Sequence, residues 1–391
     1  MNKEKIARRF QQPAENLLMK IAVLAKEKED IIDLSIGDPD LITNPAIIEA
    51  AYADVKKGAT KYTAPDGSKE FLTTVVDFYR KKYGLDFQVN QVRATVGALH
   101  GMYLVMQVLL DPGDEVIIHE PYFSPYREQV TLSGGTPVFV PTYEKNGFQL
   151  DVADLKAAIT DRTKAIIINS PNNPTGAVFS EKTLKQIAEV AIEKELFIIS
   201  DEIYEDFAFK ETFVPMASLA PDNTITISGV SKGFAMTGWR LGYMIAPTYI
   251  NQVAGMINES ITYSAPTASQ RGGIYALKHY EELVPPTVAI FKERLAYIEK
   301  RVAEIPYLSL PSVAGSMYAF INISKSGLDS VTFVEKVLEQ SGVLFVPGKA
   351  FGENVGDDYI RLAATQPMEV LAEAFDRLAE LTFYLAEDGT F

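Results

Sequence analysis

The sequence predicts an α/β protein: a large domain built on a mostly parallel sheet flanked by helices, joined to a smaller α+β domain. Three observations carry this prediction. From Val92 to Ala246, short apolar runs alternate with segments of helical periodicity, the pattern of a sheet whose strands are linked by crossover helices. The run 163–170 (TKAIIINS) is almost continuously apolar, as expected of a parallel strand covered on both faces. After about residue 285 that alternation changes, and 391 residues are too many for one simple core. The boundaries expected are 45–285 for the large domain, and 1–44 with 286–391 for a small domain drawn from both ends of the chain.

Composition narrows the function. Hydrophobic residues make up 47% and charged residues 23%, ordinary values for a globular protein. Lys and Arg number 37 against 51 Asp and Glu, a formal charge of −14. Nucleic-acid binding needs a basic face, so no nucleic-acid partner is expected. With no cysteine, disulfides, thiolate nucleophiles and cysteine-ligated zinc are excluded. The three histidines, His100, His119 and His279, show no metal-ligand spacing, so no metal is expected. The N-terminal residues lack the apolar centre of a secretory signal, and no apolar run approaches a membrane span. A cytoplasmic enzyme is the expectation.

Taken in order, residues 1–28 read as a polar arm and a short helix with Leu17, Leu18, Ile21 and Leu24 on its apolar face. Residues 31–36 (IIDLSI) read as a strand ending in GDPD, where Gly37 allows a close turn. A loop over 56–70 (KKGATKYTAPDGSKE) precedes a helix over 71–83. Its GSK triplet lacks the upstream glycine of a nucleotide-binding P-loop. Strand 92–96 then turns through Gly97, Ala98 and Leu99 into an apolar helix, in which Met102 and Met106 lie at core spacing. Strand 115–119 ends in EPYFSPY, 137–141 is a further strand, and 151–159 is a helix capped by Asp151. Strand 163–170 runs into SPNNPTG; helix 181–194 leads to strand 196–200 and then DEIY. Strand 224–228 opens SGVSKGFAMTGWRLGY, followed by strand 241–246 and helix 248–258. Ile290, Phe291, Leu295, Ile298 and Val302 mark the core face of a long helix. Strands 317–323, 343–346 and 358–363 with helices 330–340 and 368–385 complete the smaller unit.

Several of these strand ends carry chemistry. Lys232 leaves the end of a strand, where α/β proteins place ligands, and is flanked by the small residues Ser231 and Gly233, so a flat cofactor can approach it. A serine hydroxyl and the fork of Arg240 suit a phosphate. The small residues Gly97 and Ala98 at a helix start leave N–H groups free for an anion, or else simply make a tight turn. Phe123 can stack on a planar ring, with Tyr122 and Tyr126 as packing or rim residues. Asp201 at the end of a buried strand needs a partner charge or caps the next turn. The stiff turn of SPNNPTG aims an amide at the sheet edge. Arg361, in DYIRLA, needs a counter-charge, either Asp357 or Asp358 nearby or a bound carboxylate.

SPNNPTG, DEIY, SGVSKGFAMTGWRLGY and DYIRLA, in that order, resemble the motifs of the pyridoxal-phosphate-dependent aminotransferases of class I/II. The resemblance covers nearly the whole chain. It implies a seven-stranded large-domain sheet and pyridoxal 5'-phosphate held as a Schiff base on Lys232. By the same resemblance Asp201 keeps the pyridine nitrogen protonated and Asn173 and Tyr204 hydrogen-bond the phenolic oxygen. Phe123 covers the ring, and Gly97, Ala98, Leu99, Ser231 and Arg240 hold the phosphate. Tyr62, in the KYT segment, reaches the phosphate of a neighbouring subunit, which implies a homodimer. Arg361, with Gly37 and Asn173, binds the substrate carboxylate. The implied activity moves the amino group of an L-amino acid to a 2-oxo acid by a ping-pong mechanism, Lys232 carrying the proton.

Two departures bear on this reading. Gly229 stands three before the lysine, where the family often has serine, so Ser231 rather than Ser228 is expected to meet the phosphate. No arginine occurs over 261–270, where some dicarboxylate-specific relatives carry theirs, so aromatic or neutral amino acids are at least as suitable as aspartate. A C–S β-lyase on the same fold is the alternative chemistry. A regulatory protein of this fold fits poorly, because few residues precede the first strand and the charge is acidic. A serine hydrolase fails because Gly229 breaks the S-x-x-K spacing.

Overall fold

The computed structural model describes residues 30–382 continuously, with 5–7, 11, 17 and 23. The helix expected around Leu18, Ile21 and Leu24 lies outside the described residues, and the last helix ends at Ala379, short of the 385 expected. The described chain begins with β1 (Ile32–Asp33), α1 (Pro45–Lys56) and α2 (Lys69–Tyr83). The alternating region follows: β2 (Val92–Thr95), α3 (Gly97–Leu109), β3 (Glu115–Glu120), α4 (Pro125–Leu132), β4 (Thr136–Pro141), α5 (Val152–Ala158), β5 (Thr163–Asn169), α6 (Glu181–Glu193), β6 (Phe197–Asp201), β7 (Thr224–Gly229) and β8 (Gly242–Ile245). Then come α7 (Thr248–Glu259), α8 (Thr267–Lys278), α9 (Tyr280–Ala303), β9 (Tyr318–Asn322), α10 (Ser330–Ser341), β10 (Val343–Leu344), β11 (Val346–Pro347), β12 (Tyr359–Ala363) and α11 (Met368–Ala379).

The main sheet has seven strands in the order β2-β8-β7-β6-β5-β3-β4, and only β8 runs against the others. The apolar run of β5 explains itself by alternation. Ile166 and Ile168 pack with Leu184 and Ile187 on one face, while Ala165 and Ile167 pack with Met102 and Val105 on the other. Because β2, β3, β5, β6 and β7 are all parallel, Gly97, Phe123, Asn173, Asp201 and Lys232 all follow strand ends at one edge of the sheet, where such folds place ligands.

The smaller unit holds the antiparallel sheet β11-β12-β9 and the parallel pair β1-β10. The single strand expected over 343–346 is therefore two: β10 pairs with β1, β11 turns away to β12, and Phe345 marks the change of sheet. The strand expected over 31–36 is regular for only two residues, because Ser35 folds its N–H (2.8 Å) and hydroxyl (2.6 Å) back onto the Asp33 carboxylate. Helix α9 joins the two units. Its start buries Leu283 and Val284 against α2 and β8, and its later turns bury Phe291, Leu295, Ile298 and Val302 in the second core. Among the described residues no helix is long and apolar enough to cross a membrane.

Candidate active site

A cavity of about 790 Å³ opens at the carboxyl edge of the sheet, between the two units. Its lining includes Gly37, Ala98, Leu99, Phe123, Asn173, Asp201, Tyr204, Ser231, Lys232, Arg240 and Arg361. Lys232 is half-buried, and its Nζ donates to the Gly37 carbonyl at 2.6 Å. The segment that carries Gly37 is held in place from both sides. Asp40 takes a two-pronged ion pair from Arg294 of α9 (2.7 and 2.8 Å). The only tryptophan, Trp239, donates its indole N–H to the Thr43 hydroxyl (3.1 Å), and Thr43 in turn donates to the Ala235 carbonyl (2.7 Å).

Asp201 ends β6 and is buried. Its carboxylate accepts from the Tyr126 hydroxyl at 2.7 Å and from the Ile203 N–H at 3.2 Å. Burial pushes its pKa up; the Tyr126 and Ile203 donors and the charge of Lys232 pull it back down. Burial also raises the pKa of Tyr126, so that hydroxyl stays protonated and remains a donor. The expectation that Tyr126 is a packing or rim residue is thereby corrected. Tyr122 does pack, stacked on Phe139 with 5.0 Å between centroids. Tyr204 meets the hydroxyl of Tyr318 at 3.0 Å across the cavity.

The SPNNPTG turn is braced from within. Asn169 donates to the Asp201 carbonyl (3.0 Å) and accepts from the Asn173 N–H (2.9 Å), so the amide of Asn173 and the carboxylate of Asp201 are fixed relative to each other. The Asn173 side-chain oxygen accepts from Arg361 Nη1 at 3.0 Å. Arg361 Nη2 donates to the Ser35 carbonyl at 2.5 Å, and its guanidinium lies between the rings of Tyr318 (4.5 Å) and Phe351 (4.7 Å). Burial pulls its pKa down while the nearby tyrosines and Asp33 raise it. Asp357, a possible partner on sequence grounds, pairs instead with Lys349 (3.5 Å).

At the other end of the cavity, α3 starts with no side chain capping its first turn, so the N–H groups there face the opening without a side-chain acceptor. Gly97 has φ +73°, and a Cβ on it would sit 2.6 Å from Arg240 Nη2. Arg240 itself sits at φ 51° and donates from Nη1 to the Thr237 carbonyl (3.0 Å). Ser231 lines the cavity, whereas Ser228 is buried inside β7. Phe123 meets Tyr126 edge-on at 5.5 Å. Tyr62 stands apart: it is 85% exposed and packs edge-on against Tyr263 at 5.3 Å.

Sequence reasoning missed Tyr126 and Tyr318. The first could have been found from its i+3 spacing to Phe123, which puts both rings over one turn of chain. The second carried no local signal, since it reaches the site only through the pairing of β9 with β12.

The residues present fit pyridoxal phosphate. The unfilled helix start and Arg240 suit its phosphate, the buried Asp201 suits a protonated ring nitrogen, and Lys232, which lines the cavity, suits its aldehyde. The comparisons agree. Residues 29–378 match the family model described as aminotransferase class I and II. An aspartate aminotransferase of Pyrococcus horikoshii is 38% identical over 357 residues, covering 90% of this chain and 91% of that protein. Aromatic-amino-acid aminotransferase 2 of Thermococcus litoralis is 37% identical, covering 93% and 95%. The structure of a single mutant of Thermus thermophilus aspartate aminotransferase superposes with a TM-score of 0.92 at 32% identity, covering 96% of this chain and 98% of that one. A match of this length, on a cavity with this lysine, aspartate and arginine, places the chain in the class I and II aminotransferases, as a pyridoxal-phosphate-dependent transaminase.

Proposed function

We infer that Lys232 and Arg361 are the two ends of an amino-acid site. One observation carries this: both donate to the same short backbone segment, Lys232 to Gly37 and Arg361 to Ser35. Two residues of extended chain span at most about 7 Å, so the two carbonyls that hold the amine and the guanidinium lie no farther apart than that, and both cations face the same stretch of the cavity wall. Arg361 binds the α-carboxylate through its planar fork, with Asn173 orienting it. The Nζ of Lys232 would hold the cofactor by its aldehyde and, as a free amine, would serve as the base that carries the α-proton. Pyridoxal phosphate, when bound, supplies the sink for the electrons that the α-carbon releases. Asp201 holds a proton on the ring nitrogen, and Tyr204 with Asn173 donates to the phenolic oxygen. Phe123 covers the ring, and Gly97, Ala98, Leu99, Ser231 and Arg240 bind the phosphate.

The same reading divides the chain into a large domain over 45–285 and a small domain from 1–44 and 286–391, supported by the two separate cores that α9 enters. It takes the enzyme as a homodimer in which Tyr62 completes a neighbour's phosphate site. Large apolar side chains left exposed, Tyr62 at 85%, Ile42 at 85% and Met256 at 73%, support a covered surface there. A cytoplasmic location belongs to this reading, supported by the cysteine-free composition.

The test is amino transfer from an L-amino acid to a 2-oxo acid by the purified holoenzyme. Formation of pyruvate from cystathionine with no amino transfer would assign the lyase chemistry instead. Sedimentation at micromolar concentration should give twice the chain mass of 43.2 kDa.

A further inference from the structure

We propose that the amino donor carries an apolar side chain, aliphatic or aromatic, and that a second carboxylate is selected against. The proposal rests on the placement of Lys232 and Arg361 given above. With the α-carboxylate on Arg361 and the α-proton turned toward Lys232, the side chain takes a remaining tetrahedral direction, against the strip of wall that flanks both groups. That strip is formed by the chain around β1 and by β10 and β11. Val346 pairs directly across from Arg361, Leu344 pairs with Asp33, and Ile36 adjoins the Gly37 carbonyl that Lys232 touches. Ile31, Ile36, Leu344, Val346 and Phe351 all line the cavity on this side. They offer a continuous apolar wall.

The charges point the same way. Three cations line the cavity, and the site uses all of them: Lys232, Arg240 and Arg361. Besides Asp201, the carboxylates that line the cavity are Asp33 and Asp38. Asp33 is close enough to raise the pKa of Arg361, so a second carboxylate on the substrate would meet a like charge and, among the described residues, no free cation. The 261–270 segment beside Tyr62 adds no Lys or Arg. Arg271, the next basic residue, is tied to Asp54 (2.6 Å) and Glu70 (2.5 Å). Leaving a carboxylate unpaired in such a pocket is costly, while each additional methylene on an apolar wall is worth about tenfold or more.

The experiment is the half-reaction of the holoenzyme with leucine, phenylalanine, aspartate and glutamate, read as the loss of the cofactor's visible band, so that no acceptor enters. Leucine and phenylalanine should react with second-order constants about 100-fold or more above those of the two dicarboxylates. A dicarboxylate reacting as fast as leucine would overturn the proposal. Calorimetric binding of two inert analogues gives a readout without turnover: 3-phenylpropanoate should bind more tightly than succinate, and the reverse order would also overturn it. If none of the four amino acids reacts while 3-phenylpropanoate is still preferred, the transaminase reading falls and the pocket assignment stands. Ile36 is 60% exposed, so Ile36→Ser does not threaten folding. It should lower the leucine-to-alanine ratio of constants about tenfold; an unchanged ratio would remove Ile36 from the wall.

Discussion

The hydrogen bond from Tyr126 to Asp201 is the contact on which the electronics of this site depend, and Tyr126→Phe isolates it. The ring is buried at 1% exposure and packs edge-on against Phe123, so removing one oxygen leaves the packing intact. What is lost is a 2.7 Å charge-assisted donor to a carboxylate that burial already pushes toward its neutral form. A hydrogen bond to a charged group contributes about 1.5–3 kcal/mol. Its loss lets the Asp201 pKa climb further. The 3.2 Å bond from Ile203 and the charge of Lys232 remain, so the lower end of that range is the better expectation. Protonated Asp201 can no longer hold a proton on the ring nitrogen. The acid limb of kcat/KM against pH should therefore move to higher pH by about one unit, with the thermal midpoint little changed. A profile that superimposes on that of the natural enzyme would refute the role given to Tyr126.

Three further outcomes follow from the same geometry. Arg361→Lys replaces a planar fork by a point charge; losing one charged hydrogen bond should raise KM for the amino acid roughly 10- to 100-fold with kcat nearly unchanged, measured by steady-state kinetics. Gly97→Ala forces a Cβ into a φ of +73° and against Arg240; at about 1–2 kcal/mol it should weaken cofactor binding about tenfold, read by cofactor titration of the apoenzyme. Glu202 is buried beside Asp201 with a pKa pushed up by burial to about 8 from 4.5. Its contribution to stability is full below pH 4.5 and is lost as pH rises through 8. Glu202→Gln should therefore flatten the fall in denaturation midpoint over that window, and a constant gap between the two proteins from pH 5 to 9 would count against it.

Much of this was legible in the residues. β5 and β6 could be placed because apolar runs covered on both faces have few alternatives, and SPNNPTG, DEIY and the lysine stretch mark the ends of three adjacent parallel strands. Helices α1, α4 and α8 were not expected from the sequence, although proline at or beside the first turn is an ordinary helix-start signal. The split of 343–346 between two sheets was hidden: VLFV has one apolar pattern, and only the partners β1 and β12 divide it. Arg361 was legible as needing a counter-charge. Its setting between two rings could not be read locally: Tyr318 lies more than 40 residues earlier and arrives through the pairing of β9 with β12, and Phe351 arrives from the segment between β11 and β12.

The central claim is that Lys232 carries the cofactor, and it can be tested directly. Borohydride reduction of the holoenzyme followed by peptide mapping should place one pyridoxyl group on the peptide containing Lys232 and nowhere else. An adduct on another lysine, with Lys232 unmodified, would contradict the account.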